Sequence, residues 1–354
     1  MAARRSGSSP HAFAAKQQTI QTQAEADASI WWRVSGCTRR WNGEFDTLMK
    51  TAAAILAAAL CAGVWAQQAP KISVRVNEVP VFATVHDSDG RVVKNLTRDD
   101  FVLREDGVEQ KIDYFSQESD LPLTIGLLVD TSRSQTGVLE EERRASYKFL
   151  DQVMRQGKDQ AFVVHFDIQV ETLQEPTSSR DDLESALERL KIPERDSTLV
   201  FSAIKESSED WMRQYMGRKA FILLSDGVAY KEPTSITTAI EFAQRADTII
   251  YPIRYADPVP LTRPVIGAIL AIASEHGKQG LHRMARETGG AYNEVTNSQS
   301  LEQIYAQIEE ALRNQYDIGY TPGRAESDGK YHKIKLTTKN RRLIVNARAG
   351  YYAR

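Results

Sequence analysis

Cysteine is nearly missing from this chain of 354 residues, which contains only Cys37 and Cys61. Both precede residue 67, so the sequence after it has no thiol for a disulfide, a thiolate metal site or a nucleophile. No two of the six histidines are spaced His-x-x-x-His, the pattern of a helical zinc site. A Gly-x-Ser-x-Gly nucleophile elbow is also missing, which argues against a serine hydrolase.

An excess of basic charge is missing as well. The 45 Lys and Arg nearly balance the 47 Asp and Glu, the net charge is −2 and the pI is about 6.4. A nucleic-acid partner is therefore not expected. The apolar run from Thr51 to Val64 is shorter than the roughly 20 residues of a transmembrane helix. The 42% apolar and 26% charged residues are typical of a globular protein, with no membrane span expected in the mature chain.

That apolar run has the pattern of a secretory signal peptide over residues 49–66. Met49 and Lys50 make a positively charged start, and Val64-Trp65-Ala66 ends the run with a small residue at the cleavage position. We expect translation to begin at Met49, residues 1–48 to be a disordered upstream extension that the native protein lacks, and the mature chain to begin near Gln67. The protein would then be secreted or periplasmic. An uncleaved N-terminal anchor is the alternative.

Two flanking segments, 71–118 and 315–354, are predicted to form β-strands. In both, apolar and polar residues alternate, and Asp-Gly pairs at Asp89-Gly90, Asp106-Gly107 and Asp328-Gly329 indicate tight turns. Neither segment is large enough to bury a good core by itself. We therefore expect the two to pack together as one small, sandwich-like all-β module.

The intervening segment, 121–313, is predicted to be an α/β domain. Apolar strands alternate with amphipathic helices, which is typical of a doubly wound, Rossmann-like fold with a mostly parallel sheet covered on both faces. The strands are predicted at Leu123–Val129, Ala161–Phe166, Ala220–Leu224 and Thr248–Ile253. The helices are predicted at Leu139–Val153, Asp181–Leu190, Val200–Arg213, Ser235–Ala246, Leu281–Thr288 and Leu301–Arg313. Residues 257–280 are predicted to be a long connection with a short surface helix, and the acidic run "LEEERR" near Glu140 a solvated helix face.

Oxygen-bearing side chains follow two of these strands. Asp130 ends the first strand and is followed at alternate positions by Ser132 and Ser134, whereas Asp226 follows another apolar strand and Thr198 lies at the start of a helix. In an open parallel sheet, ligands bind outside the carboxyl ends of the strands. Two carboxylates and three hydroxyls suit a small hard cation, and Mg²⁺ uses one or two carboxylates and keeps several waters.

These five residues resemble the metal-ion-dependent adhesion site of von Willebrand factor type A (VWFA) domains, whose pattern is Asp-x-Ser-x-Ser, a Thr, and an Asp before Gly. The matching positions are Asp130, Ser132, Ser134, Thr198 and Asp226. The flanks "LTRDDFVLREDGVEQKIDYFSQ" and "QYDIGYTP" resemble a secreted bacterial subfamily, the acidobacterial-type VWFA-related proteins. The resemblance implies Mg²⁺, or alternatively Mn²⁺ or Ca²⁺, with one open coordination position that an acidic side chain of a protein partner fills.

Other interpretations of the same residues stay open at this point. Asp and Ser are common after parallel strands because they satisfy backbone groups, and Thr198 would serve equally well as a helix cap. A metal-dependent hydrolase could use Asp130 and Asp226, and a structural envelope module could carry a vestigial site. His165 is interpreted as a core or strand-end histidine. Because the motif supplies no positioned general base or nucleophile, we expect a binding protein without catalytic residues, not an enzyme.

Overall fold

The computed structural model of the chain describes residues 78–117, 121–194, 197–255, 264–323 and 328–353, with the backbone alone for 264–266. The predicted upstream extension and signal peptide lie outside the described residues. Strands, numbered in chain order, are β1 (Val79–His86), β2 (Phe101–Glu105), β3 (Val108–Gln110), β4 (Tyr114–Ser116), β5 (Leu123–Asp130), β6 (Gln160–Phe166), β7 (Val170–Thr177), β8 (Arg218–Leu224), β9 (Ile249–Arg254), β10 (Asn293–Glu294), β11 (Tyr316–Tyr320), β12 (Tyr331–Thr338), β13 (Ile344–Ala347) and β14 (Gly350–Tyr352). The α-helices are α1 (Leu139–Val153), α2 (Arg180–Glu188), α3 (Val200–Asp210), α4 (Ile236–Arg245), α5 (Pro264–Thr288) and α6 (Leu301–Arg313).

The central sheet has six strands in the order β10-β9-β8-β5-β6-β7. All neighbouring pairs are parallel except β6 and β7, which are antiparallel. Counted from the β7 edge in order of their appearance in the domain, the strands run 3-2-1-4-5-6, the order of a doubly wound sheet. Strand order therefore reverses between β5 and β8, and the α/β prediction is confirmed.

Helices cover both faces of this sheet, because its strands are apolar on both sides. All eight residues of β5 are buried. One core cluster joins the sheet to α1, α2 and α6, and a second joins it to α3, α4 and α5. Gly126 in the middle of β5 makes room for the second cluster, since a Cβ there would lie 2.5 Å from the ring of Phe162 and 2.7 Å from that of Phe221.

The flanking β module consists of two four-stranded antiparallel sheets, β13-β1-β11-β4 and β14-β12-β2-β3. Each sheet combines strands from both ends of the chain, because β1 pairs with β11 and β13, and β2 pairs with β12. Rings of Phe101, Phe115 and Tyr316 pack together between the sheets, with centroids 5.2 to 5.8 Å apart. The structure confirms the predicted fold class, which includes a flanking all-β module. The residue bounds predicted for the domains stay a prediction.

Two long elements differ from the sequence prediction, and the two-residue strand β10 was not predicted either. Strand β7 was not expected, because its residues do not alternate in polarity and it pairs with β6 through two irregularities of register. Helix α5 is one continuous helix of 25 residues where a long connection and a separate helix were expected. The glycines of α5 lower its intrinsic helix propensity. Gly277 nevertheless has a use in the fold, because it lets α5 pack closely against the loop after β8: a Cβ on Gly277 would lie only 2.8 Å from the carbonyl carbon of Gly227.

Within the described ranges, no helix combines the length and hydropathy needed to cross a membrane.

A buried histidine connects two turns of the β module. Nδ1 of His332 lies 2.9 Å from Oδ2 of Asp106, and Nε2 lies 3.2 Å from Oδ1 of Asp328. The hydrogen bond to Asp106, and then that to Asp328, raise the pKa of His332 although burial opposes them. Because its pKa is higher in the folded state, the protonated histidine stabilises the fold below the unfolded-state pKa of about 6.5. That stabilisation is lost as the pH rises through the folded-state pKa.

We therefore expect the difference in melting temperature between wild type and His332→Gln to depend on pH. It should be largest below the unfolded-state pKa of about 6.5 and should shrink as the pH rises through the higher folded-state pKa, where the wild-type histidine loses its proton. Thermal melts across this range, with both proteins in the same buffers, check the prediction. A difference that is the same at every pH would show that His332 stabilises the module by packing alone.

Candidate metal centre

Asp130, the last residue of β5, is fully buried at the carboxyl edge of the central sheet. Its Oδ1 accepts a hydrogen bond of 2.9 Å from the backbone N–H of Ser132, and its Oδ2 accepts one of 2.6 Å from the Ser225 hydroxyl. Because β5 pairs in parallel with β8, the residues that follow β8 lie beside Asp130. Asp226 is the second of these residues, and its Oδ1 accepts a hydrogen bond of 2.8 Å from the N–H of Val228.

The two serines of the motif lie between these carboxylates. A single 3-10 turn over Arg133–Gln135 follows β5, and it places the hydroxyl oxygens of Ser132 and Ser134 3.0 Å apart. The Ser134 hydroxyl also faces Asp226 and favours the charged form of that carboxyl. Asp130, Ser132, Ser134 and Asp226 thus form one network of neighbouring oxygen atoms, with Ser134 on its exposed side.

Thr198 is held in the same loop region by its backbone. Its N–H donates to the carbonyl of Tyr230 over 2.9 Å and its carbonyl accepts from the N–H of Tyr230 over 3.2 Å, which connects it to the loop that follows Asp226. Helix α3 begins two residues later, and the carboxylate of Glu232 caps it, accepting from the N–H groups of Phe201 and Ser202. The N-cap position itself is Leu199, which makes no side-chain cap hydrogen bond.

The electrostatics of the site favour a cation. Burial raises the pKa of both Asp130 and Asp226, and the charge of Asp226 raises that of Asp130 further. Arg254 partly opposes this by lowering the pKa of Asp226, but within the described residues neither carboxylate has an ion pair. The two carboxylates thus lie in a buried site with hydroxyl and amide hydrogen-bond partners and without an ion pair among the described residues, and their oxygen atoms are the ligands that Mg²⁺ prefers.

Three residues at this site were missed in the sequence. Ser225 supplies the shortest hydrogen bond to Asp130, and Gln135 is buried with its Nε2 donating to the Ser134 hydroxyl over 3.3 Å. The third is Glu142, and the prediction that the acidic run is a solvated helix face is wrong for it, since Glu142 is fully buried. Its position three residues after Leu139, on the inward stripe of α1, was the available signal.

His165 lies behind the motif loop. Its Nδ1 is 3.0 Å from the hydroxyl oxygen of Thr131, and its Nε2 is 3.3 Å from Glu171. The Thr131 hydroxyl donates to Asp167 over 2.7 Å. These contacts hold the first residue of the motif loop, as a strand-end histidine would. None of the described contacts of His165 reaches a motif oxygen.

Arg133, between the two serines, is exposed and makes no described contact with either motif carboxylate. We therefore expect Arg133→Ala to leave the dissociation constant for Mg²⁺ within about twofold of wild type, because charges that point to solvent are screened. Calorimetric titration of both proteins with MgCl₂ measures this. A clearly tighter Arg133→Ala site would place the guanidinium near the cation.

No protein-family model and no curated protein matches the chain. Similar solved structures include the conserved hypothetical protein BatB from Bacteroides thetaiotaomicron, at 16% identity over 54% of this chain and 98% of that chain, with a TM-score of 0.38. The vWF domain of the type V pili tip protein Mfa5 from Porphyromonas gingivalis is 13% identical over 54% of this chain and 94% of that chain, with a TM-score of 0.42. Proximal thread matrix protein 1 from the mussel byssus, described with a zinc-occupied MIDAS motif, is 12% identical over 59% of this chain and 49% of that chain, with a TM-score of 0.45.

The class of the central domain follows from its own architecture. Its strand order and its helices on both faces give it a VWFA-type fold, and the Asp-x-Ser-x-Ser sequence lies at the end of the first central strand. The narrower assignment to the acidobacterial-type VWFA-related proteins stays a prediction.

Proposed function

We propose that the protein is a secreted or periplasmic binding protein whose VWFA-type domain holds a divalent cation, Mg²⁺ in the first place. Asp130, Ser132, Ser134, Thr198 and Asp226 would hold it, some of them through water. When bound, the cation offers a coordination position to an acidic side chain of a protein partner. The role is binding, because the site presents no group positioned as a general base or nucleophile toward a substrate.

The observation that carries this proposal is the pair of buried carboxylates that have no ion pair among the described residues. Asp130 is fully buried, Asp226 is 9% exposed, and their partners are hydroxyls and backbone N–H groups. Such a pair repels itself unless a cation or a proton lies between its members. The exposed Ser134 beside Asp226 leaves a side from which a partner's carboxylate can approach.

Capture of a partner from envelope extract tests the binding role. The full chain and its Asp130→Ala variant would be immobilised, and each would be exposed to extract with Mg²⁺ or with a chelator. We expect specific proteins to be retained by wild type with Mg²⁺ only, and to be lost when carboxyl groups of the extract are first converted to amides. Retention that survives the chelator and the Asp130→Ala change would contradict a metal-mediated contact.

The hydrolase alternative calls for a different measurement. Phosphate and ester substrates with a chromogenic leaving group would be incubated with wild type and Asp130→Ala in the presence of Mg²⁺. The proposal expects no turnover above that of the variant. Substantial hydrolysis that Asp130→Ala abolishes would replace the binding role by a catalytic one.

A further inference from the structure

Glu142 is a buried carboxyl group for which the described residues provide no hydrogen-bond donor. It lies in the first turn of α1, directly after the loop that carries Ser132 and Ser134. The residue is fully buried, and neither Oε1 nor Oε2 has a hydrogen-bond partner among the described residues. Buried polar atoms in native proteins almost always have partners, so a group of this kind requires an explanation.

Two of the three charged groups that act on Glu142 belong to the candidate metal centre. Burial raises the pKa of Glu142 most, and the charges of Asp130, Glu141 and Asp226, all acidic, raise it further. Without a cation the chain therefore buries a third carboxyl within the electrostatic reach of two that already repel each other. No cationic side chain forms an ion pair with Glu142 within the described part of the chain.

A second buried atom without a hydrogen-bond partner among the described residues belongs to the motif loop itself. Oε1 of Gln135 is also buried and without a partner among the described residues, while Nε2 of the same side chain donates to the Ser134 hydroxyl. The Gln135 side chain is thus hydrogen-bonded to a motif serine, while its Oε1 has no donor among the described residues. Donors that would serve such acceptors are the O–H groups of water on a cation, since Mg²⁺ keeps several of its waters when it binds to proteins.

We propose that Glu142 is a further residue of the metal centre and accepts hydrogen bonds from water molecules that the bound cation keeps. The contact would pass through water, because no three His, Cys, Asp or Glu side chains in the described ranges are grouped closely enough to ligate one ion directly. The inference rests on the proposed metal site. It makes Glu142 a residue that sets metal affinity, rather than a structural acid of the helix.

Isothermal titration of the full chain with MgCl₂ tests this with a matched pair of variants. Glu142→Gln keeps the shape of the side chain and removes its charge, whereas Glu140→Gln makes the same change on the exposed side of the same helix. We expect Glu142→Gln to weaken Mg²⁺ binding by about 10- to 100-fold, as loss of outer-shell carboxylates does. Glu140→Gln should stay within about twofold of wild type.

A second variant and a second readout guard against a failure to fold. Glu142→Met has a similar length and suits the apolar stripe of α1, so it should weaken Mg²⁺ binding in the same way. In a chelator, both Glu142 variants should melt at a higher temperature than wild type, because one of the mutually repelling buried carboxyls is gone. Circular dichroism would confirm that each variant is folded.

The outcomes separate this inference from the proposal on which it rests. If wild type binds Mg²⁺, Asp130→Ala does not, and both Glu142 variants bind like wild type, the role of Glu142 is refuted and the metal site stands. If neither wild type nor Asp130→Ala binds Mg²⁺, the proposed function fails, and the inference fails with it. Weaker binding in both Glu142 variants but not in Glu140→Gln supports it.

Discussion

Millimolar Mg²⁺ is expected to raise the melting temperature of the wild-type chain, and Asp130→Ala is expected to lose that rise completely. A ligand that binds the folded state alone stabilises it by about 2.7 kcal/mol when its free concentration is a hundredfold above the dissociation constant. Asp130 is the most buried ligand candidate and is held by two hydrogen bonds, so its carboxylate is already in place for the ion. Differential scanning calorimetry with and without Mg²⁺ measures both shifts.

Two controls make this result specific to the site. Asp130→Asn keeps the shape of the side chain and should lose the Mg²⁺ shift as Asp130→Ala does. Asp181→Ala removes an exposed carboxylate in the first turn of α2, and it should keep the full shift. Equal shifts in wild type and both Asp130 variants would mean that Mg²⁺ acts elsewhere on the protein, and that the five-residue motif is a relic of the fold.

Deletion of residues 315–354 is expected to unfold the remaining half of the β module. The deletion removes both neighbours of β1, the neighbour of β4, and the β12 partner of β2. Of the strand pairings in the described N-terminal part, only β2 with β3 would remain. A two-stranded hairpin is marginally stable at best in water. Limited proteolysis followed by mass spectrometry should therefore locate early cleavage within residues 78–117.

A pair of isoleucines in one sheet provides a graded form of the same experiment. Ile318 in β11 is fully buried, whereas Ile344 in β13 is 57% exposed. Ile318→Ala should lower the free energy of unfolding by about 2–5 kcal/mol, the range for large buried side chains. Ile344→Ala should change it by no more than about 0.5 kcal/mol. If the chain without residues 315–354 resists protease as well as the full chain does, the two flanking segments do not form one β module.

The spacing of apolar residues predicted the strands and helices of the α/β domain well where an element is buried on one face or on all sides. Helices α1 and α6 have the bounds expected from their apolar spacing, and the four predicted strands are present within two residues. The prediction was wrong for α5, because its glycines lower intrinsic helix propensity and their use is tertiary. Gly277 is needed where α5 meets the backbone of the loop after β8. The edge strand β7 was missed because an irregular antiparallel edge leaves no regular alternation to detect.

The candidate site was predictable in part for a similar reason. Asp130 and Asp226 each follow an apolar strand, and parallel strands end at the same edge of a sheet, so their proximity follows from the pattern. Ser225 is next to Asp226 in the sequence, but the sequence does not reveal that its hydroxyl donates to Asp130, which ends the neighbouring strand. Only the register between β5 and β8 decides that the Ser225 hydroxyl lies 2.6 Å from Oδ2 of Asp130.

The sequence by itself determined the alternation of strands and helices, the turns of the flanking segments and the Asp-x-Ser-x-Ser motif, because these depend on local spacing and local chemistry. Tertiary structure alone decided which strands of the two flanks pair, how close α5 comes to the loop after β8, and whether an acidic residue of α1 faces solvent or the core. Glu142 shows the difference most clearly. In the sequence it is one of three consecutive glutamates, and packing of α1 against the sheet buries that one, where burial and then the charges of Asp130, Glu141 and Asp226 raise its pKa.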